Sequence, residues 1–301
     1  MGKLSRRAAS IALAAVMLFT TVGVSQKKVE AASTGKLSVT GYQDYNDAQK
    51  ILKEVNKYRK KNGRKALKMD RGLTNSAIMR GFETTIYIPE TSPHRRPNGK
   101  LSKSINKKII YENCAQSAGT TPKQIVKGWI DSSTHRKGLL LSNAKSVGVA
   151  AVTVVSRDGY EANTWVLDFS SSKAKKVEKS KARKQFTKNI VTKNSYLKKS
   201  YLKLDSRYGT IWETEKMQMK PTYQGEMMKE YGVYPTVINT SSFTSWKSSN
   251  PSVASVDSNG RITGNKAGTA TISAKLKTGT KITISKKIKV VPTNQQIDPW
   301  E

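Results

Sequence analysis

The hydrophobic pattern changes once along the chain, and this change limits the fold more than any other feature. Apolar residues recur at the spacing of one buried helix face from Asp47 to Tyr58, and Gly63 is placed to end that helix. A second helix is predicted over residues 70–83. A third begins at Thr121-Pro122, where threonine can cap the helix and proline suits its first position. The first part of the chain therefore contains helices.

Strand patterns follow the helices. Val147–Val155 and Tyr160–Phe169 are predicted to pair through a turn at Ser156–Gly159, and helices followed by a paired sheet predict an α+β domain. The stretch 89–104 contains three prolines and is predicted to be a loop. Beyond residue 190, short β-rich runs with Gly and Asn turns predict a small all-β sandwich.

The amino terminus has the three parts of a secretory signal peptide. It has a basic start, an apolar run over Ile11–Val24, and small residues at Ala31 and Ala32. The run of 14 residues is shorter than the roughly 20 that span a bilayer, so we expect cleavage and no transmembrane anchor in the mature chain. The expected location is extracellular, by release or by non-covalent retention at a Gram-positive-type cell wall.

Polar and charged segments separate the predicted domains. Residues 33–43 read as a polar lead-in, and eight Lys or Arg against one Glu between Lys173 and Lys188 read as a solvated linker. We therefore divide the chain into a signal peptide at 1–32, an α+β domain at 45–170, a basic linker at 171–189, an all-β domain at 190–292 and a tail at 293–301.

The net charge indicates which partners the chain can attract, and the cysteine content shows whether a disulfide can form. The formal net charge is +33, and removal of the leader, with five basic residues and one acidic residue, leaves about +29. Such a charge predicts attraction to anionic cell-wall polymers or lipid head groups, and no nucleic-acid recognition fold accompanies it. Cys114 is the only cysteine, so no intramolecular disulfide can form, and we expect it to be a small buried apolar residue.

Seven short segments between residues 45 and 169 resemble the CAP (SCP-like) superfamily in its bacterial extracellular form. The resemblance implies an α-β-α sandwich with an open cleft. The segments are Asn56-Lys-Tyr-Arg59, Arg80-Gly-Phe-Glu83, His94-Arg-Arg-Pro-Asn-Gly99, Glu112-Asn-Cys-Ala115, Trp129-Ile-Asp-Ser-Ser-Thr-His-Arg136, Val147-Gly-Val149 and Trp165-Val-Leu-Asp-Phe169.

The resemblance also implies a set of cleft residues. In the family, two histidines and two glutamates line the cleft, and His94, Glu112 and His135 match three of them. Ser132 stands where the second glutamate is usual, and Thr134 where a glycine precedes the second histidine. The implied tetrad is therefore incomplete in this chain.

Other residues are expected to support the cleft. Bacterial relatives often carry a glutamate near the position of Glu83, which makes it a substitute for the missing carboxylate. Asn113, Ser132 and Arg136 stand beside the matched residues and complete the predicted set. Arg136, like the arginines after His94, is expected on a solvated basic surface. Trp129 and Trp165 follow the apolar rhythm of their elements and are predicted core residues.

A second resemblance covers about residues 190–292, to a group 2 bacterial immunoglobulin-like domain. It implies an all-β immunoglobulin-like sandwich, which in surface proteins is usually a spacer or adhesive unit. The segments that carry it are Trp246-Lys-Ser-Ser-Asn-Pro-Ser-Val-Ala-Ser-Val-Asp257, Gly260-Arg-Ile-Thr263 and Lys266-Ala-Gly-Thr-Ala-Thr-Ile272.

The chemistry open to His94, Glu112 and His135 has three readings. Two neutral imidazoles and a carboxylate provide the donors for Zn²⁺ or another divalent cation with one open position. The same groups can perform general acid–base work, or can hold the fold together through hydrogen bonds. The sequence also lacks a G-x-S-x-G elbow, a phosphate-binding loop and a dinucleotide fingerprint, which removes support for common soluble enzymes.

Three functions follow. The first is a non-catalytic binding protein whose cleft takes a lipid, a metal ion or another small extracellular ligand, or a protein, with the immunoglobulin-like domain as a spacer or adhesion unit. The alternative is a metal-dependent hydrolase of peptide or cell-wall material. A third is a purely adhesive or architectural surface protein in which the cleft is vestigial. The incomplete tetrad favours the first and third over the hydrolase, so we do not expect an enzyme.

Overall fold

The computed structural model describes residues 34–86, 94–156, 159–205, 209–230, 234–278 and 280–293. The predicted signal peptide and nearly all of the predicted tail lie outside these residues, as do 89–93 of the predicted proline-rich loop. Within the described part of the chain, no helix is long and apolar enough to cross a membrane.

The first region combines four helices with one sheet. The helices are α1 (Tyr45–Lys61), α2 (Arg71–Thr84), α3 (Pro122–Asp131) and α4 (Ser133–Leu139). The strands are β1 (Thr34–Asp44), β2 (Lys68–Met69), β3 (Tyr111–Ser117), β4 (Ser146–Val155), β5 (Glu161–Ser170) and β6 (Arg183–Lys193). Their order across the sheet is β3-β5-β4-β1-β6, and β2 pairs with β4.

Helices cover both faces of this sheet. Alternate residues of β4 point to opposite sides, so Val149 packs with Ile51 of α1 and Trp129 of α3, whereas Val152 packs with Phe82 of α2. The predicted α-β-α sandwich is therefore confirmed.

Local sequence explains where the helices begin. Asp70 accepts a hydrogen bond from the backbone N–H of Leu73 at 2.9 Å and so caps α2. Thr121 and Gln124 form a reciprocal capping box at the start of α3, with proline at the first helical position. The predicted helix starts are confirmed by these caps. The structure adds a break at Ser132, where α3 ends and the short α4 begins.

Gly148 allows α2 to lie close to the sheet. A Cβ atom at this position would lie 2.3 Å from the backbone carbonyl of Leu73. Any side chain at position 148 would therefore push the first turn of α2 away from β4. With α2 held this close to the sheet, Arg80 in its third turn reaches Glu112 of β3.

Two segments expected to lie outside the α+β domain form strands within its sheet. The predicted lead-in 33–43 lies almost entirely in β1, and residues 183–189 of the predicted linker are the first part of β6. The two strands pair antiparallel over their full length, from Thr34 opposite Lys193 to Asp44 opposite Arg183. β6 is an edge strand, where basic side chains are common because they discourage pairing with other chains, and this is why so charged a segment can be a strand.

The second region consists of small β-sheets, as predicted. Its strands are β7 (Leu202–Asp205), β8 (Thr210–Trp212), β9 (Lys216–Gln218), β10 (Lys220–Tyr223), β11 (Thr236–Val237), β12 (Phe243–Ser248), β13 (Ala254–Val256), β14 (Arg261–Gly264), β15 (Gly268–Leu276) and β16 (Thr283–Val291), with one short helix, α5 (Glu226–Glu230). They form sheets β11-β10-β7, β12-β15-β16-β8 and β13-β14-β9.

The two regions share a packed boundary. Asn239 donates hydrogen bonds from its side-chain amide to the hydroxyls of Ser38 at 3.0 Å and Thr40 at 2.9 Å, both on β1. Thr236 donates from its hydroxyl to the backbone carbonyl of Thr85 at 2.6 Å. The buried apolar residues of the α2 side of the first sheet are continuous with those of the second region. The second region is thus fixed against the first through β1.

Candidate functional site

Strand β3 supplies the carboxylate of the site from one edge of the first sheet. Glu112 and Cys114 are two residues apart and therefore share a face, the face that α2 covers. The side chain of Glu112 is 2% exposed, whereas Cys114 is half-buried. Residues Tyr111 and Asn113, at the alternate positions, point to the other face.

Helix α2 brings an arginine and a second carboxylate to the same place. Arg80 donates from Nε to Oε2 of Glu112 at 2.9 Å and from Nη2 to Oε1 of Glu112 at 3.2 Å. Its Nη1 donates to Oε2 of Glu83, one helical turn later, at 2.9 Å. Because all three side chains are almost completely buried, each charge depends on its partners for stabilisation.

Arg96, two residues after His94, joins this network from its outer side. Arg96 donates from Nε and Nη2 to Oε1 of Glu83, at 2.9 and 2.7 Å. Its side chain is 13% exposed, so the expectation of a solvated basic surface is wrong for this arginine. Arg95, by contrast, is exposed and donates to the carbonyl of Gly99 at 3.0 Å.

His94 joins the network through Glu112. The distance from its Nδ1 to Oε1 of Glu112 is 2.9 Å, and a further hydrogen bond links the imidazole to the side chain of Cys114. Burial lowers the pKa of His94, but the bonds to Cys114 and Glu112 outweigh it and raise the pKa to about 10. The imidazole is therefore held as the charged form at neutral pH.

Three candidate metal donors meet at this point. One ligand atom each from His94, Glu112 and Cys114 lie within 4.8 Å of one another. Cys114, expected from the sequence to be a small buried apolar residue, is half-buried and lies in this cluster. The signal that could have found it is its position two residues after Glu112 on a predicted strand, because that spacing puts both side chains on one face.

His135 does not belong to this group of donors. It lies on α4, which packs against the opposite face of β3. Asn113 donates from Nδ2 to the backbone carbonyl of His135 at 2.9 Å, and Tyr111 donates from its hydroxyl to the backbone carbonyl of Thr134, also at 2.9 Å. Nδ1 of His135 lies 3.0 Å from Oγ of Ser132. Burial and the charge of His94 lower the pKa of His135. His135 is thus near His94 but makes a different set of contacts.

The other predicted supporting residues have separate roles. Asn113 is fully buried and fixes α4, while Ser132 caps no backbone group and contacts His135. Arg136 is exposed and donates to the carbonyl of Ile130 at 3.1 Å. Both tryptophans are core residues, Trp129 at 2% and Trp165 at 3% exposure, as predicted.

A buried aspartate that sequence reasoning missed lies under the network. Asp168 on β5 is directly opposite Glu112 in the sheet and is completely buried. Neither of its carboxylate oxygens has a hydrogen-bond partner among the described residues. Burial, followed by the negative charge of Glu112, raises its pKa well above the ordinary value.

The donor set fits a zinc-class ion better than a hard cation. Imidazole nitrogen, thiolate sulfur and carboxylate oxygen are the usual zinc ligands, whereas Mg²⁺ and Ca²⁺ prefer oxygen alone. The predicted Zn²⁺ donors His94 and Glu112 are thus close together, and the third residue of this cluster is Cys114, whereas His135 is not part of it.

Two family models match separate parts of the chain. Residues 52–169 match the cysteine-rich secretory protein (CAP) family, and residues 226–288 match the group 2 bacterial Ig-like domain. The chain carries a CAP domain followed by a bacterial Ig-like domain. The matched CAP residues begin within α1 and end in β5, so β1 and β6, which complete the sheet, lie outside them.

Comparison with individual proteins gives partial matches to the CAP domain. The uncharacterised protein YkwD of Bacillus subtilis (strain 168) is 30% identical over 130 residues, which are 42% of this chain. This chain spans about half, 48%, of the length of that relative.

Solved structures with similar folds include two bacterial proteins. An outer surface protein of Borrelia burgdorferi is 16% identical, with a TM-score of 0.33, over 43% of this chain and 98% of its own. An extracellular protein containing an SCP domain from Bacillus anthracis (strain Ames) is 18% identical, with a TM-score of 0.32, over 42% of this chain and 41% of its own.

Proposed function

We propose that this chain is an extracellular protein whose CAP domain binds a zinc-class metal ion through His94, Glu112 and Cys114. The observation that carries the proposal is the approach of one donor atom from each residue to within 4.8 Å. The leader-like amino terminus supports the extracellular location. The Ig-like domain then presents the CAP domain at a surface, as a spacer or an adhesive unit.

Charge balance supports a divalent ion at this site. A metal ion can bind His94 only after displacing the imidazolium proton, and it binds Cys114 as the thiolate. The positive charge of Zn²⁺ then takes the place of the imidazolium charge beside Glu112. The arginine partners of Glu112 and Glu83 can therefore stay in place, and no buried charge is left without compensation.

The same contacts favour binding over hydrolysis. A metal-dependent hydrolase needs an open metal position and a group that accepts the proton of the attacking water. Both glutamates near His94 are held by arginines, Glu112 by Arg80 and Glu83 by Arg80 and Arg96. A carboxylate that is so neutralised is a weak base, which is why we place metal binding before catalysis.

Calorimetric titration of the mature protein with Zn²⁺ tests the proposal. We expect binding in the wild type, and strong weakening in the His94→Ala and Cys114→Ala variants, because each removes one donor. His135→Ala is the matched control, since it removes the other histidine, which lies outside the donor group. This control should bind Zn²⁺ as the wild type does.

The pH dependence gives a second measurement. A proton must leave His94 when the metal ion binds, so apparent affinity should rise by up to about tenfold per pH unit below the pKa of His94, which is about 10. Binding that does not depend on pH, or that survives in both Ala variants at the donor positions, contradicts the proposed site.

A further inference from the structure

Eight exposed lysines lie on one side of the CAP domain, and we name this surface the basic face. Each is exposed, and none of the eight forms an ion pair within the described parts of the chain. They are Lys53, Lys57 and Lys60 of α1, Lys68 of β2, and Lys175, Lys176, Lys179 and Lys181 of the segment before β6.

The helix contributes a straight row of charge. Lys53, Lys57 and Lys60 are three or four residues apart, so they lie above one another on successive turns. The buried side of α1, which includes Ile51 and Val55, points away from them into the domain. The row therefore lies on the solvent side of the second half of the helix.

The segment before β6, which carries Lys175, Lys176, Lys179 and Lys181, is fixed against the domain. The N–H of Arg71 donates to the carbonyl of Lys176 at 2.8 Å, and the N–H of Lys175 donates to Oδ2 of Asp70, also at 2.8 Å. The N–H of Glu178 donates to the carbonyl of Met69 at 2.9 Å. These are backbone bonds of the segment, so its lysine side chains stay free for other partners.

The row and the segment are neighbours. Gln49 and Asn56 lie on the side of α1 that borders the lysine row. Gln49 donates from Nε2 to the carbonyl of Glu178 at 3.0 Å, and Asn56 donates from Nδ2 to that of Leu67 at 2.9 Å. The segment and Lys68, which follows Leu67, therefore lie directly beside the row, and the eight charges form one surface.

Local acidic residues do not neutralise this surface. Glu178 bonds with Arg71 at 2.9 Å, and Asp47 bonds with Lys50, also at 2.9 Å. Asp70 is engaged by the backbone of Leu73 and of the fixed segment. Glu54 lies three residues before Lys57 on α1, but within the described residues it forms no ion pair with that lysine. The positive potential of the lysines therefore extends into solvent.

From this geometry we infer that the basic face binds a linear phosphate-bearing polymer. Lysine binds phosphate as a point charge without a fixed orientation, whereas the planar guanidinium fork of arginine pairs with carboxylate or phosphate in a fixed bidentate geometry. A row of flexible ammonium groups can therefore bind successive negative charges along an extended chain. Among the described residues, Val177 is the one large apolar side chain exposed on the fixed segment, too little apolar area for insertion into a membrane. The inference does not depend on the metal site.

Binding of long-chain inorganic polyphosphate to the mature protein tests the inference, measured as fluorescence anisotropy over a series of salt concentrations. The test variant changes Lys175, Lys176, Lys179 and Lys181 to Gln, which keeps every backbone bond of the segment. We expect binding at about 0.15 M salt to weaken by roughly tenfold or more, and the salt dependence to become shallower.

A matched control removes the same charge elsewhere. Lys275, Lys277, Lys287 and Lys289 are exposed in the Ig-like domain, and their change to Gln lowers the net charge equally. This control should bind within about twofold of the wild type, because the remote charges are screened by salt. A second test variant, Lys53→Gln with Lys57→Gln and Lys60→Gln, should weaken binding like the first.

Three results would overturn the inference. Equal weakening in the first test variant and in the control would mean that net charge and not the basic face binds the polymer. Unchanged binding in both test variants would also overturn the inference. If anionic phosphatidylglycerol vesicles bind through the same lysines while polyphosphate does not, the partner is a membrane surface and the polymer is excluded.

Discussion

Replacement of Arg80 by methionine probes the buried ion-pair network at the centre of the CAP domain. The change keeps most of the side-chain volume but removes three hydrogen bonds, to Glu112 at 2.9 and 3.2 Å and to Glu83 at 2.9 Å. The carboxylates then remain buried, at 2% and 0% side-chain exposure, with only His94 and Arg96 to compensate them.

The magnitude follows from this loss of compensation. Removal of one partner from a buried ion pair costs about 3–5 kcal/mol, because the other charge is left in a medium of low polarity. Since His94 and Arg96 still bond to the carboxylates, we expect the lower end, about 3 kcal/mol of unfolding free energy at pH 7. Urea denaturation followed by circular dichroism measures this value.

A variant at the surface provides the control. Lys127→Met removes a salt bridge with Asp131 in which the two side chains are 74% and 59% exposed, so little or no stability should be lost. The Arg80→Met/Glu112→Gln double variant should regain part of the loss, because it also removes a charge left unpaired. If Arg80→Met costs no more than Lys127→Met, the network does not stabilise the fold and the reasoning fails.

Two further predictions concern the way α2 is held. Backbone hydrogen bonds from Leu73 and Lys175 outweigh the effect of burial and lower the pKa of Asp70, so its stabilising effect is present above an ordinary pKa of about 3.9 and is lost as the pH falls through the lower folded value. Asp70→Ala should therefore cost about 1 kcal/mol at pH 7 and clearly less at pH 2; urea denaturation that gives equal losses at both pH values would contradict this. Gly148→Ala should lower stability by about 1–3 kcal/mol, because the new Cβ meets the backbone of Leu73. Gly159 has open space around it but a φ of 85°, so Gly159→Ala should cost at most the backbone strain of about 1–2 kcal/mol. Thermal unfolding of both variants shows whether the close approach to α2 matters.

Part of the site was predictable from sequence. His94 and Glu112, matched by motif, do lie in contact, 2.9 Å apart. Arg80 and Glu83 stand in a segment that carried the family resemblance, but their ion pairs with Glu112 and Arg96 join residues far apart in sequence. No pattern along the chain specifies such a contact, because it depends on how a helix is placed over a strand.

The sequence by itself determined the three longer helices, the strand pair β4–β5, the change from α+β to all-β structure, and both domain families, because these depend on local periodicity and on short motifs. Only the tertiary structure decided that β1 and β6 complete the first sheet, that Cys114 joins His94 and Glu112, and that His135 lies outside this cluster. The physical reason is the same in each case. Whether a side chain reaches a site depends on strand pairing and on which face of the sheet it occupies, and a shift of one residue moves it to the other face.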